Sequence, residues 1–321
     1  MKIKIAPLLA AAVALSAVLP AHAVQGGLPA DNPWTQRRVL NIAHQGGEIE
    51  AASNTFYAFK TAVAKGAHSI DLDVHATADR ELVVLHDVTV DRTTNGTGRV
   101  DQMTRQQIQA LDAAHWFVPG VGTVRTGDRP ASDYTYRGVA TGQVAPPDGF
   151  TASDFTIPTL RDVLRTFPDT YVNIEIKRTT PDTTPYEAEL AALLAEFGRD
   201  DDTIVVSFYD AAIEMFKVHA PSVSTATATG ESAAFWASSQ GPLPGAPNPR
   251  YHALQVPLTF NGFTVVTKDF IDRAHSNGLA VHVWTIDSRA EMERLLDLGV
   301  DGIFTNLPTL LAEVLAQRFP A

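Results

Sequence analysis

Asp71 and Asp73 stand two residues apart in a run, residues 69–87, that reads SIDLDVHATADRELVVLHD. Side chains alternate across a strand, so both carboxylates point to one face while Ile70 and Leu72 point to the other. Two like charges held side by side repel unless something positive lies between them, and a divalent cation is the usual partner. A solvated acidic strand is the plain alternative for an Asp-x-Asp on its own. A dozen residues later a second apolar run, residues 82–85, ends on His86-Asp87. Residues 39–43 form another apolar run, and it delivers His44 into the turn Gln45-Gly46-Gly47. In residues 171–177 the alternation recurs, with Asn173, Glu175 and Lys177 on one face and Ile174 and Ile176 on the other.

These residue types suggest a chemistry. Asp71, Asp73 and Glu175 make an all-oxygen set suited to one hard cation, Ca²⁺ or Mg²⁺, with room left for water or substrate oxygens. His44 and His86 have reference pKa values near neutrality and suit general acid and general base work, and either ring fits either role. Asp87 can orient His86. Lys177 supplies a positive charge for an anion, although Glu175 and Lys177 also fit a simple surface ion pair. Trp284 closes the apolar run 280–284 and serves equally as an apolar wall of a site or as core packing, and Thr305-Asn306 ends a further run.

Polar groups gathered at the ends of apolar strands need a scaffold that brings those ends together. Helical and strand patterns alternate from residue 39 to 318. Strands are expected at 39–43, in a short run from 69 that carries Asp71 and Asp73, and at 82–85, 171–177, 203–208, 251–256, 280–284 and 301–304. Helices are expected at 56–63, 104–113, 158–164, 185–197, 210–219, 268–276, 288–298 and 308–317. Nearly all-apolar strands imply a parallel sheet covered on its outer face. Seven or eight of them favour a closed (β/α)8 TIM barrel, which places catalytic groups at the C-terminal ends of its strands. No G-x-G-x-x-G follows the first strand, which leaves a dinucleotide-binding sheet without support. Residues 116–155 have no period and are rich in Gly, Pro, Thr and Asp, so they read as an insertion over one face of the barrel, of the kind that forms lids.

The chain has 321 residues, 45% of them apolar and 19% charged, enough for one large core. Its formal charge of −11 argues against nucleic acid as a partner. The absence of cysteine excludes disulfides, thiolate metal sites and thiol nucleophiles. Residues 1–23 read as a secretory signal: Lys2 and Lys4, then an apolar run, then Ala21-His-Ala23 as the cleavage pattern. Pro20 interrupts a run already short for a membrane span, so stable membrane insertion is not expected. Residues 24–38 form a polar leader, and the expected location is periplasmic or extracellular.

In order along the chain stand Ala43-His-Gln-Gly46, Ser53-Asn-Thr55, Asp71-Leu-Asp73, His86-Asp87, Asn173-Ile-Glu-Ile-Lys177, Trp284-Thr285 and Gly299-Val-Asp-Gly-Ile-Phe-Thr305. This series resembles the glycerophosphodiester phosphodiesterase family. That family's pattern is His-Arg-Gly, Glu-Asn-Thr, Glu-x-Asp, His-Asp, Asn-x-Glu-x-Lys, Trp-Thr and Gly-Val-Asp-Gly-Ile-x-Thr. The resemblance spans roughly residues 39–318 and implies a phosphatidylinositol-phospholipase-C-like TIM barrel. It also implies a divalent metal at Asp71, Asp73 and Glu175, catalysis by His44 and His86, and a small glycerophosphodiester as substrate. Gln45, Lys177 and Trp284 fall at substrate-binding positions. Gln45 replaces the family Arg, Ser53 replaces Glu, and Asp71 replaces Glu with one methylene fewer, as in a divergent branch. Glu48 or Glu50 could fill the space of the missing Glu. The alternatives are a related enzyme acting on phospholipids, sphingomyelinase-D-like or lysophospholipase-D-like, and a non-catalytic exported barrel that binds a phosphate ligand.

Overall fold

The computed structural model describes residues 32–125, 129–177, 184–241 and 251–320. The secretory signal, most of the leader and the end of the proline-rich loop after residue 241 lie outside them. Eight strands run parallel around a barrel: β1 Leu40–Ala43, β2 Ser69–Ala76, β4 Tyr171–Ile176, β5 Thr203–Val206, β6 Ser224–Thr225, β7 Ala253–Pro257, β8 Ala280–Trp284 and β9 Gly302–Thr305. Neighbours pair in register: Asp71 with Asn173, Asp73 with Glu175, and Gln255 with His282. A single parallel bridge, Ala226 with Ala253, joins the two edges and nearly closes the ring.

One expected strand needs correction, and one strand of the ring was missed. The run at residues 82–85 forms β3, Leu82–Val84, but it pairs antiparallel with the far end of β2 and lies outside the ring. Its place in the count of eight belongs to β6, a two-residue strand followed by the helix Thr229–Ser239. Thr55, and neither Ser53 nor Asn54, caps the helix Phe56–Ala64, its side chain accepting from the Ala58 amide.

Alternation along the strands sorts their side chains. Ile70, Leu72 and Val74 of β2 join Val172, Ile174 and Ile176 of β4 in the large cluster shared with the outer helices. The other face looks into the barrel. There Leu40, Ile42, Ala253, Ala280 and Phe304 pack around Trp34. Trp34 belongs to the short helix Pro33–Gln36, whose N-cap Asn32 donates to the carbonyls of His252 and Gly278, just before β7 and β8. The N-terminal end of the barrel is thereby plugged with apolar side chains. The opposite end stays open and polar.

The insertion is built from the pair Phe117–Val118 and Gly122–Thr123 and from short 3-10 turns. Its Phe117, Tyr136 and Phe155 pack on Tyr57 and Ala58 of the helix Phe56–Ala64, and Lys60 pairs with Asp154 at 2.6 Å. It braces the side of the barrel beside the turn that carries His44. None of its described residues lines the cavity at the barrel mouth, as a lid would. No described helix is long and apolar enough to cross a membrane.

Candidate active site

The residue after β1 is His44, and the chain then turns through three consecutive positive φ angles, at Gln45 (51°), Gly46 (83°) and Gly47 (89°). A Cβ on Gly46 would lie 2.6 Å from the Ala58 Cβ, so glycine is needed for this turn to pack on the helix below. The turn fixes the His44 ring at the barrel mouth. Its Nδ1 is 2.6 Å from Asn306 Oδ1, just beyond β9. The Asn306 side-chain nitrogen and backbone nitrogen donate to the two oxygens of Asp287 at 2.9 and 2.8 Å. A carboxylate only accepts, so the amide nitrogen must face Asp287 and the amide oxygen must face His44. The neutral His44 ring therefore carries its proton on Nδ1, and its accepting Nε2 lies 3.5 Å from Gln45 Nε2.

His86 is also held at Nδ1, but by a charged acceptor. Its Nδ1 is 2.6 Å from Asp87 Oδ1, and Arg92 Nε donates to Asp87 Oδ2 at 2.8 Å. Burial works to raise the Asp87 carboxyl, but the bonds from His86 and Arg92 outweigh it and hold the group down to about 2. Burial works to lower the His86 pKa. The bond to Asp87 and the charge of Asp73 more than offset it, against a contrary push from Lys177, and the ring is held above its ordinary value. The two imidazoles thus differ in what Nδ1 faces: a neutral amide oxygen for His44, and for His86 a carboxylate whose charge favours the cation.

Between them lie the carboxylates. Burial pushes Asp71 up to about 6, against the positive pull of His44 and with Asp73 adding to it, while Asn173 Nδ2 donates to it at 2.7 Å. Burial first, and then the charge of Asp73, pushes Glu175 up to about 7. Asp73 accepts from Asn54 Nδ2 at 2.9 Å. Lys177 Nζ is 3.0 Å from Glu175, 3.7 Å from Asp73 and 3.1 Å from His86 Nε2. Burial opposes the lysine's charge, but Asp73 and Glu175 prevail and its pKa is raised.

Among the described residues, no three His, Asp or Glu side chains converge closely enough to grip a metal ion as they stand. Lys177 occupies the space between Glu175 and Asp73. The donor chemistry nonetheless fits a hard cation: three acidic side chains face a single ammonium, and two of them are pushed toward the neutral form by burial and by the charge of Asp73.

Of the residues singled out in the sequence, His44, Asp71, His86, Glu175, Lys177 and Trp284 line one cavity of about 380 Å³. Asp73 is buried beneath Lys177, and Asp87 stands behind His86. Gln45 does not face the cavity. It is only 3% exposed, and its Oε1 takes the Ser53 hydroxyl proton in a short hydrogen bond. Two of the three residues noted above as departing from the resemblance, Gln45 and Ser53, are therefore partners. Glu48 and Glu50 do not substitute for the missing Glu: Glu50 accepts from Thr309 and Glu48 lies 3.7 Å from Arg92. Asn54, Asp287 and Gln255 were not anticipated as site residues. Gln255 Nε2 donates to Asn173 Oδ1 at 2.7 Å across the barrel and lies 3.4 Å from His282 Nδ1, continuing the polar chain below Asp71.

The pattern of the glycerophosphoryl diester phosphodiesterase family matches residues 44–310. The chain belongs to this family. It is an enzyme, a phosphoric diester hydrolase, and its barrel is the family's TIM barrel. A glycerophosphodiester phosphodiesterase from Caldanaerobacter subterraneus is 30% identical over 288 residues, covering 87% of this chain and 99% of its own. The crystal structure of such an enzyme from Agrobacterium tumefaciens superposes with a TM-score of 0.61 at 24% identity, covering 85% of this chain and 99% of that one. An Oleispira antarctica phosphodiesterase, solved with the product sn-glycerol-3-phosphate, superposes with a TM-score of 0.63 at 17% identity, covering 88% and 98%.

Proposed function

We propose that this enzyme hydrolyses glycerophosphodiesters to an alcohol and glycerol 3-phosphate, with His44 as general base and His86 as general acid. The carrying observation is that two histidine rings share one cavity with different Nδ1 partners, a neutral amide oxygen for His44 and a carboxylate that favours the cation for His86. Support comes from the activity named for the Caldanaerobacter relative and from the product bound to the Oleispira phosphodiesterase.

The bare Nε2 of His44 removes the proton of the attacking hydroxyl, the glycerol 2-OH or water, as its oxygen bonds to phosphorus. The bond from phosphorus to the leaving oxygen breaks, and His86 gives that oxygen its proton. Attack by the 2-OH yields a cyclic phosphate that water then opens, whereas attack by water gives glycerol 3-phosphate directly. An anionic phosphodiester draws the Lys177 ammonium to itself and releases Nε2 of His86, which takes a proton from water and turns it toward the leaving group. Asp71, Asp73 and Glu175 would hold one divalent cation, Ca²⁺ or Mg²⁺. When bound, such an ion supplies positive charge to the phosphate as negative charge grows at phosphorus. Trp284 walls the glycerol side. The sequence of residues 1–23 supports export, with work in the periplasm or outside the cell.

The test is hydrolysis of glycerophosphocholine, with products followed by ³¹P NMR. Chelator is expected to abolish turnover and Ca²⁺ or Mg²⁺ to restore it. His44→Ala and His86→Ala are each expected to lose about 10²–10⁴ in kcat. Full activity in chelator would remove the cation from this reading, and full activity in either variant would remove the acid–base pair.

A further inference from the structure

A line of four polar side chains crosses the interior of the barrel beneath the catalytic groups. Asp71 and Asn173 are register partners on β2 and β4, and Gln255 and His282 are register partners on β7 and β8. The two pairs are joined between opposite walls, where Gln255 Nε2 meets Asn173 Oδ1 at 2.7 Å. All four residues are buried. The reaction described above uses Asp71 alone among them.

The direction of each bond follows from the chemistry of its partner. A carboxylate only accepts, so the Asn173 amide must turn Nδ2 to Asp71 Oδ1, at 2.7 Å. Asn173 Oδ1 then faces the opposite wall, and only a donor can meet it. Gln255 must therefore present its nitrogen rather than its oxygen. The same nitrogen lies 3.4 Å from His282 Nδ1, which is then the accepting nitrogen of a neutral ring. That ring is wedged in place. A Cβ on Gly302 would lie 2.9 Å from His282 Cδ2, and the rings of Trp34 and Phe304 stand 6.3 and 6.4 Å away. Its Nε2, which carries the proton, is buried and has no partner among the described residues. A buried donor left unpaired costs about 1–3 kcal/mol, so the polar contact that His282 does make is the one to Gln255. Turning either amide over would set oxygen against oxygen at Asp71 or at the middle of the line.

We propose that Gln255 is a positioning residue for the reaction: by donating to Asn173 it fixes the direction of that amide, and through the amide it fixes the carboxylate of Asp71. The proposal rests on the cation reading above, in which Asp71 is one of three acidic ligands. Asn173 carries the instruction from one wall of the barrel to the other, and His282 holds Gln255 from behind. Without the donor at position 255 the Asn173 amide is free to turn, and it offers Asp71 its nitrogen only part of the time. Asp71 then loses a fixed orientation, and the three carboxylates hold a cation more weakly. Outer partners of this kind set the orientation of metal-ligating side chains. Gln255 lines the cavity, but this role needs no contact with the substrate.

The experiment measures Ca²⁺ binding to the purified full chain by calorimetry, with no substrate present, for the wild type, Gln255→Met and Gln255→His. Methionine keeps the length of the side chain and removes the donor, whereas a histidine restores an N–H near the place of Nε2. Gln255→Met is expected to weaken Ca²⁺ binding by about 10–100-fold, and Gln255→His to recover most of that loss. Nitrogen-15 NMR of the histidine rings reads the line of bonds directly, and His282 is expected as the Nε2–H tautomer. That measurement is made on the wild type and stands even where Gln255→Met does not fold. The proposal is overturned if folded Gln255→Met binds Ca²⁺ as the wild type does, or if His282 carries its proton on Nδ1. Equal weakening in both variants also overturns it, because Gln255 would then act by packing alone. If the wild type binds Ca²⁺ and only the variants fail to differ, the cation reading survives and this proposal does not. If the wild type takes up neither Ca²⁺ nor Mg²⁺, the cation reading falls and this proposal with it.

Discussion

Replacing Asp87 by Asn separates the charge on His86 from its position. The amide keeps the size of the side chain and can still accept from His86 Nδ1, but the negative charge 2.6 Å from that nitrogen is gone. Two unit charges about 4 Å apart interact by about 4 kcal/mol at an effective dielectric near 20. His86 and Asp87 are 38% and 29% exposed, and Arg92 already draws on the carboxylate, so water and the arginine screen much of that. The surviving share is roughly 1–2 kcal/mol, about one pK unit on His86. The sign follows from its role. A general acid must be protonated, so its pKa sets the alkaline limb of the pH profile, and lowering that pKa moves the limb toward acid. The expected result for Asp87→Asn is an alkaline limb of kcat/KM shifted down by about one unit, with a roughly tenfold loss above neutrality and little loss near pH 5. The assay is glycerophosphocholine hydrolysis from pH 5 to 9. A shift confined to the acidic limb would make His86 the base and reverse the assignment, and an unmoved profile would mean that Asp87 does not tune the ring.

Two further outcomes probe the supports of the site. Asn306→Ala leaves His44 Nδ1 without its acceptor and frees the ring to present N–H to the substrate, so kcat should fall about tenfold or more with KM nearly unchanged; unchanged kcat would refute the tautomer argument. His282 is fully buried in the barrel, and burial lowers its pKa to about 4 despite the nearby Asp301. Its neutral form is favoured by folding, so the stability it contributes is present above pH 6.5 and is lost as pH falls from there toward 4. That loss is about 3 kcal/mol at 1.36 kcal/mol per unit, and denaturant unfolding at pH 7 and pH 4.5 should show it shrink in His282→Gln; an identical acid loss in the variant would place the labile group elsewhere.

Residues that act along a strand could be read from the chain, because alternation is a local rule. It grouped Asp71 with Asp73 and Glu175 with Lys177, and the structure puts each pair on one inward face. Apolar runs ending in His44 and His86 likewise announced the barrel mouth. What failed depended on contacts between distant segments. Nothing local distinguishes Leu82–Val84, which folds back on β2, from a barrel strand. Two residues, Ser224 and Thr225, are too few to show any period, yet their neighbours on both sides make them a stave of the ring. Asp287 was overlooked because its partner lies 19 residues away, where Asn306 turns the acid's position into a proton state on His44. The aromatic rim of the cavity was invisible for the same reason. Phe208, Trp236, Phe260 and Trp284 are scattered singly over nearly eighty residues, and only the closing of the barrel collects them.

Gln45 and Ser53 also bear on how such a chain can change over time. Their side chains meet in a pocket closed to water. A carboxylate in place of Ser53 would be buried close to Asp71 and Asp73 with no new cation, at a cost of about 3–5 kcal/mol, a large share of the net stability of most domains. A cation in place of Gln45 would meet those same carboxylates, so the two positions are not equally free to change. The neutral pair constrains its own replacement. It leaves specificity free to drift on the aromatic rim, where residues change one at a time, while the floor of the phosphate pocket stays fixed.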